Sequence, residues 1–386
     1  MAPINVGIVG YGFAAKNFHI PFISANPDYQ IVAILQRAEA PADPSSATPG
    51  SHCTVDFPNI RHHRTAEDFF ADSEIAFVVV ATHTDTHTSF AEKALQAGKH
   101  VIVDKPFARS AEEADHVIKL ADEKGLILTC FQNRRWQADE SFKDGDFQTL
   151  RSLLSKNALG KVMEAEIHYD FESPPWLSHM TEKKYTPGSG MAFGLGTHSI
   201  DQAVVLFGRP KSVTGFLRAQ RGIDSEVEDS FTIILQYEGE QKDLLVTVKT
   251  SVTTPLAQQL KLLVRGTEGS YIKWQQRSTC PQEEQIQKGV KPLDPDFGKE
   301  PEALQGTLTT YKVFDERYQK LDPETNKYTG RYPTITGRWI GIYENVANAI
   351  NGKEELAVKA TQSRDAIRVI ELARESHEKG ATIPWK

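Results

Sequence analysis

Cysteine is scarce, with Cys53, Cys130 and Cys280 the three in 386 residues. An odd, widely separated set builds neither a disulfide framework nor a paired metal-ligand spacing, so a reducing interior is the expectation and no metal site is predicted. A basic excess is missing as well: 44 Lys plus Arg stand against 51 Asp plus Glu, for a net charge of −7. That excludes the clustered positive surface that nucleic-acid binding needs. No apolar run approaches the roughly 18 residues of a membrane span. The opening stretch, Met1-Ala2-Pro3-Ile4-Asn5-Val6-Gly7, has no basic segment followed by a long apolar one, so no signal peptide is expected. These absences predict a soluble, cytoplasmic protein without nucleic-acid or membrane partners.

The rest of the composition is that of a globular protein, at 39% hydrophobic and 25% charged residues. At roughly 150 residues per domain, the length allows two to three domains. The first third alternates short β-branched runs with helical patterns. Strands are predicted over 4–9, 31–35, 60–64, 74–81, 100–104 and 127–131, with helices over 13–25, 65 onward, 88–97 and 110–124 between them. Ser110-Ala111-Glu112-Glu113 is a capping-box pattern. Strands separated by helices, with continuous rather than alternating apolar character, predict a parallel sheet buried on both faces. Beyond about residue 135 the pattern changes. A helix over 146–156 precedes strand-like runs at 162–171, 212–218, 231–237, 244–251, 259–265 and 271–274. Several alternate, which predicts a large, mainly antiparallel sheet. Residues 278–333 are polar and proline-rich and are expected to wander, and helices over 339–351 and 363–379 close the chain. The fold class predicted is α/β: a doubly wound N-terminal domain over 1–130, and an α/β domain with a large open sheet over 131–386, whose last helix is a candidate to pack back on the first domain.

Gly10-Tyr11-Gly12-Phe13-Ala14-Ala15 follows the first strand and opens the first helix, in the pattern G-x-G-x-x-A. Gly10 permits the tight turn, Gly12 lets backbone approach a pyrophosphate, and Ala15 keeps helix and strand close. The helix N-terminus favours the phosphate charge. Strand and helix context support a dinucleotide site, with Phe13 and Ala14 on its loop. An NAD site carries an acid near the end of the second strand. Here that strand ends Ile34-Leu35-Gln36-Arg37, and Arg37 suits a 2′-phosphate, which favours NADP with NAD a possible second cofactor. A solvated arginine at a strand end is the alternative.

Asp104-Lys105-Pro106 falls at the end of the fifth predicted strand, where ligands bind in doubly wound sheets. A lysine there can have its pKa shifted by desolvation and act as acid or base, which hydride transfer needs when an O–H proton leaves or arrives. With Ala81-Thr82 and His87 before it, and Gly188-x-Gly190 through Gly196-Thr197-His198-Ser199-Ile200-Asp201 after it, the ordered set resembles the Gfo/Idh/MocA oxidoreductases over nearly the whole chain. Phe131-Gln132-Asn133-Arg134-Arg135-Trp136 is similar to a subgroup related to NADP-dependent scyllo-inositol dehydrogenases.

The resemblance implies a Rossmann domain, a C-terminal sheet domain that forms homodimers or tetramers through its sheet, and NAD(P)-dependent oxidation or reduction of sugars and cyclitols at CH–OH groups. It implies that Lys105 contacts the nicotinamide ribose and the substrate and that His198 is the substrate-side acid/base or orienting group. Thr82, His83, His87, Asp104, Pro106 and Asn133 are the further cofactor-side candidates. Arg135, Trp136, Asp170 and Asp201 are the substrate-side ones. Arg134, Arg135 and Trp136 read equally as packing, whereas for Asp170, with His168 and Trp176, a structural or exposed place outweighs a site role. The i, i+4 pair His83 and His87 has a metal-like spacing but no glutamate partner motif.

One position departs from the family. Its usual Asp four residues before the histidine is Gly194 here. Asp201 stands in as a candidate to orient His198 if 198–201 is helical. The departure also keeps open a different class of function, a non-catalytic NAD(P)-binding regulator on the same fold.

Overall fold

The computed structural model describes residues 2–135, 137–138, 142–143, 145–275 and 281–386. The chain divides into two compact units, one of residues 1–141, 289–295 and 338–364, the other of 142–288, 296–337 and 365–386.

The first unit holds six parallel strands: β1 (Ile4–Val9), β2 (Tyr29–Leu35), β3 (Arg61–His63), β4 (Phe77–Val80), β5 (His100–Val103) and β6 (Leu128–Cys130), in the order β3-β2-β1-β4-β5-β6. The order reverses between β1 and β4, the position at which doubly wound sheets open a crevice at the strand carboxyl ends. Val78, Val79 and Val80, like Val101, Ile102 and Val103, are fully buried. Strands covered on both faces select such unbroken apolar runs.

The connecting helices are α1 (Ile20–Ser24), α2 (Cys53–Asp56), α3 (Ala66–Ala71), α4 (Thr84–Gln96) and α5 (Ala111–Lys124). The helix expected over 13–25 is present with a difference. A π turn over Ala15–His19 precedes α1, which has Pro21 in its first turn. Pro21 has no N–H for the ordinary α-helical ladder, so the turn widens there. The Ser110 hydroxyl caps α5 by accepting the Glu113 N–H at 3.1 Å. The Glu113 carboxylate reaches Arg109 rather than closing the box on Ser110. Gly125, at φ +63°, ends the helix in the left-handed region.

The second unit is built on ten strands: β7 (Val162–His168), β8 (Ser212–Arg218), β9 (Ser230–Gln236), β10 (Leu245–Thr250), β11 (Gln259–Gly266), β12 (Gly269–Gln275), β13 (Gly306–Thr310), β14 (Lys320–Asp322), β15 (Lys327–Tyr332) and β16 (Ile383–Pro384). Their order is β14-β15-β13-β12-β11-β7-β10-β9-β8-β16. The β7–β10 pair is parallel and the other pairs are antiparallel.

The stretch 278–333 does not wander as expected. It supplies β13, β14 and β15, which widen the sheet by three strands. Gly306-Thr-Leu-Thr-Thr and Lys327-Tyr-Thr-Gly-Arg-Tyr are rich in Thr and Tyr, residues that fit a half-buried pleated surface without reading as hydrophobic.

Helices α6 (Gly145–Ser155), α7 (Thr197–Phe207) and α8 (Pro281–Gln287) belong to this unit, and α9 (Gly341–Ile350) and α10 (Ala360–Lys379) follow. At Gly215 the backbone of α10 comes so close to β8 that a Cβ would lie 2.2 Å from the Ala373 carbonyl oxygen. Under the sheet, Lys273, with no exposure, is held between Asp146 at 2.8 Å and Glu300 at 2.5 Å. Lys261 also pairs with Asp146.

Candidate functional site

The carboxyl ends of β1, β2 and β4 surround a cavity of about 810 Å³. Its wall includes Gly10, Gly12, Phe13, Ala14, Arg37, Thr82 and His83, so seven of the predicted cofactor-side residues converge on it. Gly10 has φ +98°, and a Cβ there would lie 2.6 Å from the Ala81 carbonyl oxygen. Only glycine makes this turn without strain. A Cβ on Gly12 would meet nothing within 4 Å. The backbone there is bare toward the cavity, a cradle that suits close approach by a pyrophosphate. Phe13 is 65% exposed, a large apolar face available to a flat ring.

At the end of β2, Arg37 is exposed on the cavity wall. The neighbouring Gln36 is occupied, because its side-chain oxygen accepts the Cys53 N–H at 2.9 Å. No carboxylate takes the place of the ribose-binding acid at 35–38. Tyr11 donates to Asp56, which also accepts the Gly50 N–H, so the loop after β2 is tied to the glycine turn. Burial and then Asp56 drive the Tyr11 phenol upward, keeping it a neutral donor.

His52, Cys53 and His62 also meet here, with ligand atoms within 4.8 Å of one another. Three of their four ring nitrogens are engaged by the fold: both of His52, with Thr54 and Ala38, and Nε2 of His62, with the Gln36 carbonyl. Burial pushes the Cys53 thiol up to about 11, which makes it a poor thiolate.

A second group lies at the end of β5. Lys105 is half-buried, Asp104 is buried, and the Lys105–Pro106 peptide is cis. The Lys105 N–H donates to the Asp104 carboxylate at 2.8 Å. His87 is 1% exposed and contacts the Pro106 carbonyl at 2.8 Å and the Thr82 carbonyl at 3.1 Å. His87 therefore braces the loops at the ends of β4 and β5 from inside and is not on the cavity wall. Burial works to raise the Asp104 carboxyl, but His19, followed by Lys105 and His87, outweighs it and holds the carboxyl below its usual range. Asn133 and Arg135 follow β6 in a buried turn, where the Arg135 guanidinium donates to Gln362 at 2.6 Å. Arg134 lies over the Trp339 ring. Trp136 falls outside the described residues.

In the second unit, His198 is the second residue of α7 and is 5% exposed. A π turn over Ala192–Gly196 leads into it, with Gly194 inside. Hydrogen bonds in a π turn join residues five apart, so 194 and 198 do not have α-helical spacing. The condition placed on Asp201 is met, because 197–207 is helical and Asp201 is buried one turn beyond His198. The Tyr169 ring stacks on His198 at 6.2 Å.

Asp170 is not brought to His198. Strand alternation puts Glu166, His168 and Asp170 on the sheet face opposite Ile167 and Tyr169. There Asp170 accepts from His168 at 3.1 Å and from the Ser251 N–H at 2.7 Å, and Glu166 contacts the other His168 nitrogen at 2.9 Å.

Sequence reasoning missed several wall residues: Gln36, Asp85, Thr86 and Phe90. Asp85 and Thr86 fall in the first turn of α4, whose start at Thr84 precedes the predicted start at 88. The Thr82–Thr86 hydroxyl contact of 2.8 Å ties that turn to the end of β4. It also missed His19, whose ring is wholly buried beside Asp104.

Comparison with known proteins agrees with this geometry. Residues 4–132 match the model of the oxidoreductase family with an NAD-binding Rossmann fold, Gfo/Idh/MocA. Residues 147–272 match the Gfo/Idh/MocA C-terminal domain. Oxidoreductase C115.03 of Schizosaccharomyces pombe, described as uncharacterized, is 37% identical over 387 residues, covering 99% of this chain and 100% of that protein. The NADP(+) scyllo-inositol 2-dehydrogenase IolW of Bacillus subtilis is 31% identical over 380 residues, covering 98% and 95%. A solved structure of YvaA from Bacillus subtilis aligns over 100% of this chain and 99% of that one, with a TM-score of 0.83 and 29% identity. With its paired domains, its glycine turn and relatives that match end to end, the chain belongs to the Gfo/Idh/MocA family of oxidoreductases.

Proposed function

We propose that the protein is an NADP-preferring dehydrogenase or reductase acting on a CH–OH or carbonyl group of a sugar, cyclitol or related compound. The observation that carries this reading is the cavity itself: a bare glycine turn, Arg37 and no acid at the end of β2. A nicotinamide bound there supplies the hydride acceptor or donor. Arg37 pairs with the 2′-phosphate, and Gly12 and Ala14 hold the pyrophosphate through backbone N–H groups, while Gly10, whose own N–H goes to the Leu35 carbonyl at 3.0 Å, makes the turn that presents them. Thr82 and His83, at the start of α4, add polar contacts. Lys105 takes the hydroxyl proton as the substrate carbon is oxidised, and returns it in reduction. In the second unit His198, with Asp201 one turn beyond it on α7, is the candidate to orient a substrate oxygen. The relative IolW, by its name an NADP-dependent scyllo-inositol dehydrogenase, supports the substrate class.

The reading includes a cytoplasmic homodimer joined through the exposed face of the large sheet. Cross-strand register puts Phe216, Thr232, Lys249 and His168 in one row on that face. Trp274 is 40% and Phe216 50% exposed, large apolar groups that a partner copy covers. The decisive experiment follows NADPH and NADH consumption with a panel of sugars, inososes and diketones. Turnover with NADPH is expected; tight cofactor binding with no turnover on any compound overturns the enzyme reading.

A further inference from the structure

Three buried side chains that the reaction above does not use stand in line behind the Lys105 turn. His19, in the π turn after the glycine loop, has no solvent exposure. Its Nδ1 is 2.6 Å from the Tyr343 hydroxyl on α9, and its Nε2 is 3.8 Å from the Asp104 carboxylate. The Phe131 ring packs on the imidazole at 4.3 Å, and Tyr343 is itself wholly buried. The Tyr29 hydroxyl on β2 donates to the Tyr343 backbone carbonyl at 2.6 Å, which fixes the start of α9. An ionised carboxylate only accepts hydrogen bonds, so the nitrogen turned toward Asp104 carries the proton. At 3.8 Å this is an ion-pair or dipolar contact rather than a full hydrogen bond. The groups facing Asp104 are thus His19 from the π turn, Lys105 from its own turn and His87 from α4, while Tyr343 and Tyr29 stand behind His19.

Packing alone needs none of this polarity. A buried imidazole costs free energy unless both nitrogens have partners, and a phenylalanine would fill the same space. The arrangement resembles a base held in one tautomer by one neighbour so that it presents N–H to another.

We infer that His19 is a positioning residue, which, held by Tyr343, keeps Asp104 ionised and so keeps the Lys105 turn in place for proton transfer. This deepens the proposed function and rests on it for the role of Lys105. Asp104 accepts the Lys105 N–H at 2.8 Å, and a protonated carboxyl accepts more weakly. The direction for pH follows. The Asp104 carboxyl lies below its usual value in the folded protein, so the stability it contributes is present above the unfolded value. That contribution is lost as pH falls through the folded one. Without His19 the folded value rises, and the loss begins at higher pH.

The test uses the full chain with His19→Phe, His19→Gln and Tyr343→Phe. Thermal unfolding is followed from pH 3 to 8, and the acid limb of kcat and the KM are measured with NADPH and a substrate. The acid transition in stability is expected to move up by about one pH unit in His19→Phe, as for loss of a nearby favourable partner. The kcat limb is expected to move with it, while KM and NADPH affinity hold. His19→Gln, which retains an N–H donor, is expected to recover part of the shift, and Tyr343→Phe to give a smaller shift in the same direction. A uniform loss of Tm at every pH, or a shift to lower pH, overturns the inference, because a packing role does just that. If His19→Phe fails to fold, Tyr343→Phe, which keeps a ring of the same shape, decides alone. If the wild-type protein turns over no substrate, the function reading fails while the stability arm still tests the His19–Asp104 coupling.

Discussion

Replacing Arg37 with alanine is expected to separate the two nicotinamide cofactors. Arg37 stands exposed on the cavity wall beside the end of β2. A charge-assisted hydrogen bond contributes about 1.5–3 kcal/mol, or about 10- to 150-fold in Kd. Solvent screens an exposed guanidinium, so the lower part of that range, about 10- to 30-fold, is the expected loss for NADPH. Arg64, whose Nε contacts the Arg37 carbonyl at 3.4 Å, remains nearby to retain part of the attraction to a phosphate. NADH has no 2′-phosphate, and Gln36 is committed to the Cys53 N–H, so NADH affinity is expected to stay where it was. The assay is a fluorescence titration of each reduced cofactor into wild type and Arg37→Ala, repeated at high salt. The NADPH difference should shrink as ionic strength rises. Equal losses for both cofactors, or no loss for either, would refute the 2′-phosphate assignment.

Lys105→Met is expected to lower kcat by about 10²- to 10⁴-fold, the usual worth of a general acid or base, with NADPH affinity little changed in the titration above. Full turnover in that variant sinks the proton-transfer role. Asp146→Asn leaves Lys261 and Lys273 short of a buried counter-charge. Breaking such a cluster costs about 3–5 kcal/mol, to be read from the urea midpoint. Burial would raise the Asp146 carboxyl, yet the two ammonium groups hold it well below its usual value. The stability it contributes is therefore kept at neutral pH and lost only in strong acid, as pH falls through its folded value. Trp274→Lys is expected to convert a homodimer to a monomer by light scattering, and a monomeric wild type overturns the sheet-face dimer.

The Rossmann half was readable because each of its devices is local. Gly10, Gly12 and the acid-free end of β2 sit within a short stretch of sequence, and the runs at 78–80 and 101–103 announce buried parallel strands. The late strands were not readable in the same way. Thr307, Thr309, Tyr328 and Thr329 carry strand preference without hydrophobicity, and while β14 and β15 pair as a local hairpin, β13 takes its partners from β12 and β15, farther along the chain. His19 was invisible for a related reason. Nothing near it in sequence marks it, and its neighbours Asp104 and Tyr343 arrive from the turn after strand β5 and from helix α9. Asp170 shows the limit of a motif. Its place near the first strand of the second domain suggested a pocket, but the pleat turns it to the face away from His198. The resemblance to a family supplied His198, which composition and spacing alone leave as an ordinary buried histidine.

The ends of the large sheet bear on how copies of the protein can meet. A free sheet edge is a template on which further strands can add without limit. Here the outermost strands are β14, three residues long, and β16, two residues long and ending in Pro384, which has no N–H to offer. Neither gives an incoming strand enough ladder to hold. A wide sheet that has blunted both rims can expose apolar groups such as Trp274 and Phe216 with little danger of growing into a fibre. Association across a face closes after two copies, whereas association along an edge does not.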